Sequence, residues 1–559
     1  TITEEGEENH NQEEQNFLVE EGFNMLKFFG NHPSYCMMSM GNELWGSKKI
    51  LNDIIGGYKK FDNRHLYTQG SNNFQWFPNV IENDDFFVGV RLANDRLIRG
   101  SYAMCDAPLG HIQTDKPAAN HDYDSIIRPK KQASSTEISE DGTVQIQYGT
   151  TMKTVKASEA DADFIPEVPI VTHEIGQYET YPNFKEIEKY TGSLKARNFE
   201  VFRERLEEKG LLPLAEDYFK CSGKLAVQCY KEEMEAVFRS RLLGGFQILD
   251  IQDFSGQGTA LVGVLDAFMD SKGLITDSEW REFCNDAVVM ARFDSYVLEA
   301  GSSFKAHTEL CNYRPDLKDG KLICTLENGD VIGKVEKDFV SEGNYTDICD
   351  VEFTLPQVTK NTKAVLALEI EGTDIRNHYD LWVIPTVEKT DISGAYIFNE
   401  VNDEAESLLK QGKTVLIVPD LSKLENSIEG FYCQDFWCYH MFCIISQMMK
   451  KPDPVGTMGL LIDTEHPALA GFAGEKYSTP QWWEIVQNSR SVILDDFKGE
   501  KNVIVRTIDN FDRNHDLSLL YEYEKDGGKV VVCSCDFEKL SKSPEGRAFI
   551  KSVVDYVRN

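Results

Sequence analysis

The sequence predicts a multidomain α/β and β protein. It reads as part of a parallel β/α barrel over residues 1–300, an antiparallel β-sandwich over 301–392, and a small doubly wound α/β domain over 393–559. Three observations carry this reading. A chain of 559 residues is too long for one ordinary core. In the first and last parts, short apolar runs that end in polar side chains alternate with helical patterns, as parallel sheets require. Between them, from about 303 to 388, brief alternating runs are broken by turn residues at the spacing of a sandwich.

Composition bounds the function. Hydrophobic residues make up 41% and aromatics 11%, as in globular chains. The 58 basic and 92 acidic residues give a net charge of −34, which repels a phosphate backbone and argues against a nucleic-acid partner. No apolar run approaches the roughly 18 residues that a membrane span needs, and residues 1–16 are polar and acidic, unlike a signal peptide. The 13 cysteines are odd in number and sit mostly in apolar runs (Cys36, Cys229, Cys324, Cys443, Cys533), so buried free thiols and a reducing compartment are expected.

Taken in order, residues 1–16 form a polar lead-in, and Asn16 to Gly30 carries a helical pattern stopped by glycine. Tyr35 to Met40 is short and almost wholly apolar, as a strand buried on both faces should be, and it runs into Gly41-Asn42-Glu43. A carboxylate at the carboxyl end of a barrel strand stands on the reactive face, which makes Glu43 a catalytic candidate with Asn42 beside it. The alternative for this pair is a helix N-cap. A helix at about 48–60 follows, then a strand from Leu66 to Asn73, another near Phe86–Val90, and a segment Gly100–Met104 that continues it after an insertion. The stretch 105–165 is loop-like, with a hairpin near 140–157 turning at Asp141-Gly142. Placed on the reactive face, it offers His121, Asp122 and Tyr123 as substrate contacts, with a solvated loop as the equal alternative.

Pro169 to Gly176 is a second apolar run, and it closes on His173-Glu174 before Gln177 and Tyr178. A charged helical region spans 184–240. Phe246–Phe254 reads as the last barrel strand, with Gln252 and Asp253 at its end, and a helix near 277–291 completes the unit. These elements amount to about five of the eight strands of a closed barrel, so the expected remainder is an amino-terminal half of the same protein. In the last domain, Cys433, Cys438 and Cys443 lie on a helical pattern without the glycines of a nucleophile elbow. Their five-residue spacing does not keep them on one helix face with His440, so no metal site is expected.

Asn31-His32-Pro33-Ser34, Ser39 and Gly41-Asn42-Glu43 together resemble the acid/base signature of glycoside hydrolase family 2, and Pro169–Gly176 is similar to that family's nucleophile strand. Met38 stands where the family usually has Trp. The resemblance implies a TIM-barrel catalytic domain, an immunoglobulin-like sandwich and a flavodoxin- or amidotransferase-like accessory domain. It further implies a retaining exo-glycosidase with Glu43 as acid/base and Glu174 as nucleophile, no cofactor, a carbohydrate substrate and an exported, periplasmic setting, against which the cysteine pattern argues. Glu174 would be held ionised by donors and Glu43 kept protonated by burial and its neighbour's charge. Asn42 would meet the sugar 2-hydroxyl, Tyr102 would orient Glu174, and Trp45 and Trp76 would stack on a sugar ring. Asn73, His121, Asp122, His173, Tyr178, Gln252 and Asp253 complete the expected substrate contacts. Asn183-Phe184-Lys185 reads as a solvated helix start. A homo-oligomer is compatible with this picture, and the rival reading is a non-catalytic carbohydrate-binding or assembly protein with a degenerate barrel.

Overall fold

The structure is a computed structural model that describes residues 2–7, 10–42, 44, 46–71, 80–89, 115–124, 142–148, 151–156, 166–254, 259–387, 390–434, 438–448, 450, 452–472 and 474–558. Helix α1 (Gln12–Phe29) begins four residues before the apolar pattern does, because the Asn11 side chain accepts from the Glu14 amide and caps it there. Strand β1 (Met37–Ser39), helix α2 (Lys48–Phe61), strand β2 (Leu66–Thr68) and strand β3 (Phe87–Val88) follow. β1 and β2 pair in parallel, with Met38 opposite Tyr67. Both are shorter than the apolar runs suggested, and β1 is not buried on both faces. Met38 points into the core while Met37, on the opposite face of the strand, is 47% exposed.

Strands β4 (Thr143–Tyr148) and β5 (Thr151–Lys156) pair antiparallel as the expected hairpin, with Tyr148 opposite Thr151, while Asp141 of the expected turn lies outside the described residues. Strands β6 (Ile170–Gly176) and β7 (Leu243–Leu249) join β3 in a parallel sheet of order β3-β6-β7. β7 starts earlier than expected and takes in Gly244-Gly245, leaving Gln252 and Asp253 in the loop beyond its end. The region before β7 holds helices α3 (Arg197–Glu208) and α4 (Ala215–Arg239), and α4 packs against both β6 and β7. Asn183 caps a 3-10 turn, Phe184–Lys189, and Lys185 pairs with Glu216 on the surface, as a solvated helix start would.

The helix expected at 277–291 is a correction. Only the single turn Asp277–Trp280 is helical, and Ala287–Arg292 is strand β8. Ala-Val-Val-Met-Ala is uniformly buried, and such a run carries no period that separates strand from helix. β8 joins β9 (Val297–Glu299), β10 (Ser303–Asn312), β11 (Asp319–Asn328), β12 (Asp330–Val340), β13 (Tyr345–Thr354), β14 (Thr362–Ile370) and β15 (Arg376–Ile384). They form two sheets, β13-β10-β8 and β12-β11-β14-β15-β9, so the sandwich begins at Ala287 rather than at 301. Alternating inward residues such as Leu310, Leu322, Leu326, Leu366 and Leu381 build the core that the two sheets share.

The last domain corrects the doubly wound expectation. It contains β16 (Ile397–Phe398), α5 (Asp403–Leu409), β17 (Thr414–Ile417), β18 (Ser427–Glu429), α6 (Tyr439–Met448) and β19 (Thr457–Ile462). β20 (Arg490–Ile493), β21 (Asn502–Asp509), β22 (Leu517–Lys525), β23 (Gly528–Cys533) and α7 (Pro544–Arg558) follow. β16, β17 and β23 are parallel, whereas β18 to β22 pair antiparallel and β22 returns antiparallel to β23. For β22 and β23 the cause is local: Asp526-Gly527, both with positive φ, makes a two-residue turn that only antiparallel neighbours can share. Of the cysteines expected to be buried, Cys229, Cys324 and Cys533 are buried, Cys443 is half-buried and Cys36 is exposed.

α4 ties these bodies together. Its apolar face, including Leu225, Cys229, Tyr230 and Met234, belongs to a core that continues through Trp382 of β15 into Tyr432, Trp482 and Leu460 of the last domain. It also carries buried charge. Arg239 Nη2 donates to Glu235 Oε2 at 2.6 Å, and its Nε lies 3.3 Å from Glu309 Oε1 on β10. Glu235 in turn accepts from Asn377 at 2.8 Å and Tyr379 at 3.0 Å on β15. Burial would raise the Glu235 carboxyl, and Lys231 and Arg239 together pull it below its usual range.

Among the described residues no cation pairs directly with Glu232. Burial lifts its carboxyl from an ordinary 4.5 to about 8, against the Ala118 amide that donates to it and the charge of Arg239. Between those values the unfolded chain has released this proton and the folded chain has kept it, so stability falls as pH rises through that window. Glu232→Gln is therefore expected to raise the melting temperature by a few degrees at pH 8, by roughly the 2–4 °C that each kcal/mol brings, and to leave it unchanged near pH 5. Scanning fluorimetry at both pH values checks this; an equal shift at both would contradict it.

Candidate active site

The site lies at the carboxyl end of β6. Opposite β7 the strand carries a bulge: Thr172 pairs with Phe246 and Ile175 with Ile248, so three steps on β6 match two on β7. The extra step falls at His173-Glu174. Glu174 adopts φ +49, Gly176 φ +92 and Gln177 φ +64, the left-handed region. For the two residues with side chains this costs about 1–2 kcal/mol each, which the surrounding structure must offset. A Cβ built on Gly176 would lie 2.1 Å from Tyr230 Cε1, so α4 presses this backbone closely and glycine is required.

The bulge turns Glu174 to the surface end of the sheet, where its side chain is 18% exposed. Its Oε1 lies 3.1 Å from His173 Nε2, and Gln177 Nε2 donates to its Oε2 at 3.1 Å. His173 Nδ1 lies 2.8 Å from Gln247 Oε1 on β7, and Nε2 is 3.2 Å from Asn42 Oδ1. Asn42 is itself placed by the β1–β2 pairing, which extends one bridge further to Ser71, whose hydroxyl donates to Asn42 Oδ1 at 3.2 Å. One imidazole thus joins the end of β1 to the end of β6. The donors to Glu174 suit a carboxylate held ionised.

Of the residues expected in the site, Asn42, His173 and Glu174 come together. Glu43, Trp45, Asn73, Trp76 and Tyr102 lie outside the described residues. Tyr178 does not face the mouth: it is buried, and its hydroxyl donates to Glu233 on α4. Asp253 is sealed one layer behind the mouth, where Lys272 Nζ donates to its Oδ1 at 2.6 Å and also to Thr180 Oγ1. Gln252 is bound to this closing segment through its backbone bridge with Leu265.

His121 and Asp122 are at the wrong end. Tyr123 donates its amide to Ser240, and Asp124 accepts from the amides of Arg241 and Leu242, immediately before β7 begins. Asp122 pairs with Arg292 of β8. Ile170 pairs with Leu243 at the start of β7 and Glu174 lies four residues further along β6, so the backbone of this segment stands roughly 13 Å from the Glu174 face, and the Tyr123 side chain reaches back to Glu233. Sequence reasoning missed Gln247, Gln177 and Glu233. A lone polar residue inside the apolar run Phe246-Gln247-Ile248 was the available signal for the first, and glutamates on the apolar stripe of α4 for the last.

Two family models match, both described as domains of unknown function: one (DUF8488) over residues 302–385 and the other (DUF8487) over 396–559. No curated protein matches the chain. Among solved structures, the chain is similar to a β-D-mannosidase from Dictyoglomus thermophilum, at 13% identity and a TM-score of 0.36, covering 68% of this chain and 42% of that one. It is similar to β-glucuronidase 3 of Bacteroides uniformis at 11% identity and a TM-score of 0.28, covering 68% and 41%. A β-galactosidase from Bacteroides fragilis, described as putative in its title, matches at 11% identity and a TM-score of 0.26, covering 66% and 43%. The structural neighbours include glycoside hydrolases of family 2, at low TM-score and identity. The chain spans less than half the length of each of these three.

Proposed function

We propose that this chain carries the catalytic end of a retaining exo-glycosidase, in which Glu174 attacks the anomeric carbon and Glu43, directly after Asn42 in sequence, protonates the leaving oxygen. The observation that carries the reading is the Asn42–His173–Glu174 contact, which brings two motif stretches 131 residues apart onto one face. In a double displacement, Glu174 forms a glycosyl ester as the aglycone leaves with a proton from Glu43. Water, deprotonated by Glu43, then breaks that ester and restores both carboxyls. His173 steadies the carboxylate, and Asn42 is set to meet the 2-hydroxyl as oxocarbenium character develops.

The reading includes closure of the parallel strands into a full TIM barrel by further strands outside this sequence, with an immunoglobulin-like sandwich behind it. Its support is the outer edge of β1 and the apolar face next to it, where Phe17, Leu18, Met25, Phe28 and Phe29 of α1 are exposed together with Met37 and Leu66. The substrate is a terminal sugar of an oligo- or polysaccharide, in an exported bacterial protein.

A panel of aryl α- and β-glycosides offered to the complete protein tests this. Turnover of one class with net retention supports it, and no turnover of any favours the non-catalytic carbohydrate-binding alternative. On the active substrate, Asn42→Ala is expected to lower kcat by about 100-fold with little change in KM, the cost of losing a contact that strengthens in the transition state. Equal loss in kcat and gain in KM would contradict that role.

A further inference from the structure

We propose that Glu233, buried in α4 and out of reach of any substrate, is a positioning residue that fixes the turn from Glu174 to Tyr178 and thereby sets how the carboxylate of Glu174 is presented; this rests on the hydrolase reading.

The geometry is a three-point clamp. Glu233 Oε2 accepts from the Gly176 amide at 3.1 Å and from the Tyr178 hydroxyl, and Oε1 accepts from the Tyr123 hydroxyl at 3.1 Å. Two of the donors belong to the turn itself, which holds three left-handed residues in four and whose pairing with β7 ends at Gly176, opposite Leu249. Between the clamped Gly176 and Tyr178 stands Gln177, fully buried, whose amide nitrogen donates to Glu174. The third donor, Tyr123, is tied at its own amide to Ser240 at the end of α4. Tyr230 backs the turn, edge-on to Tyr178 with centroids 5.1 Å apart and with its hydroxyl fixed on the Val262 carbonyl at 2.6 Å. Glu233 therefore reaches Glu174 through Gly176, Gln177 and Tyr178, and touches no reacting atom.

An ionised carboxylate can accept from all three donors; a protonated one must turn one oxygen into a donor and give up or reverse a bond. The titratable groups around it are Cys229, Tyr230 and Glu232 of its own helix, Tyr178 of the turn, Tyr123, and, through Cys229 and Tyr178, Cys433 of the last domain. Burial, offset in part by the three donors, lifts the Glu233 carboxyl to about 7. The clamp thus loosens on the acid side of neutrality.

The test is Glu233→Gln in the complete protein, with kcat and KM followed from pH 5 to 9 and amide hydrogen exchange followed over residues 174–178. Glutamine keeps the shape and two acceptor lone pairs. The expected result is a kcat lowered about 10- to 100-fold, as small misplacements of a reacting group bring, with KM within about twofold and the acidic limb near pH 7 flattened. Exchange at 174–178 should quicken while the melting temperature stays within a few degrees. Unchanged kcat and an unchanged acidic limb would overturn the proposal. Should the wild type turn over no glycoside, the hydrolase reading fails by itself and exchange decides this one: faster exchange in the variant supports the clamp, equal exchange overturns it.

Discussion

Glu174→Gln is expected to cut turnover of the active aryl glycoside by roughly 10³-fold or more, which corresponds to about 4 kcal/mol of transition-state stabilisation. The amide keeps the Gln177 and His173 contacts nearly isosteric but cannot donate an electron pair to the anomeric carbon, so the loss should fall on kcat. Shortening the side chain separates nucleophilic loss from misfolding. Glu174→Ala leaves space at the bulge, and added azide should enter it, attack the anomeric carbon of a substrate with a good leaving group, and release a glycosyl azide of inverted configuration. Recovery of turnover with azide, against none in the glutamine variant, is the expected pair of results. A glutamine variant as active as wild type would remove Glu174 from the chemistry.

The second large effect is on stability. Arg239 is fully buried between Glu235 and Glu309, and the alanine variant leaves two glutamates facing one another without their shared cation. Removing one partner of a buried ion pair costs about 3–5 kcal/mol. At 2–4 °C per kcal/mol, the melting temperature is expected to fall by roughly 6–20 °C. Because the network joins α4 to β8, β10 and β15, the loss should loosen the sandwich from the helix that clamps the β6 turn, and activity at elevated temperature should fall with it. A melting temperature within 1–2 °C of wild type would show that the pair contributes nothing net at this interface.

What was legible in the sequence was legible for a physical reason. A parallel strand reads as a short apolar run, so a carboxylate or amide at its end stands out, and Asn42, His173 and Glu174 were each marked in this way. The sandwich strands declared themselves by alternation and turn residues. Charge on an α-helix is different: Glu232, Glu233 and Glu235 look like solvated residues until α4 is seen to be enclosed on nearly every side, and nothing local says which glutamate will find three donors. His121 and Asp122 failed for a topological reason, since a loop residue carries no mark of which end of a barrel it covers. Ala287–Arg292 failed because a uniformly buried run has no period. The Asp526-Gly527 dipeptide was an available signal for an antiparallel hairpin, and the doubly wound expectation passed over it.

The central claim is that Glu174 becomes covalently joined to the sugar. An activated 2-deoxy-2-fluoro glycoside of the sugar identified in the panel slows both chemical steps but speeds the first through its leaving group, so the ester accumulates. Peptide mapping of the trapped complete protein by mass spectrometry should place the added fluoro-sugar on the peptide containing Glu174, with no label in Glu174→Gln. A label on any other carboxylate, or turnover that proceeds with no trapped ester at all, would contradict the account.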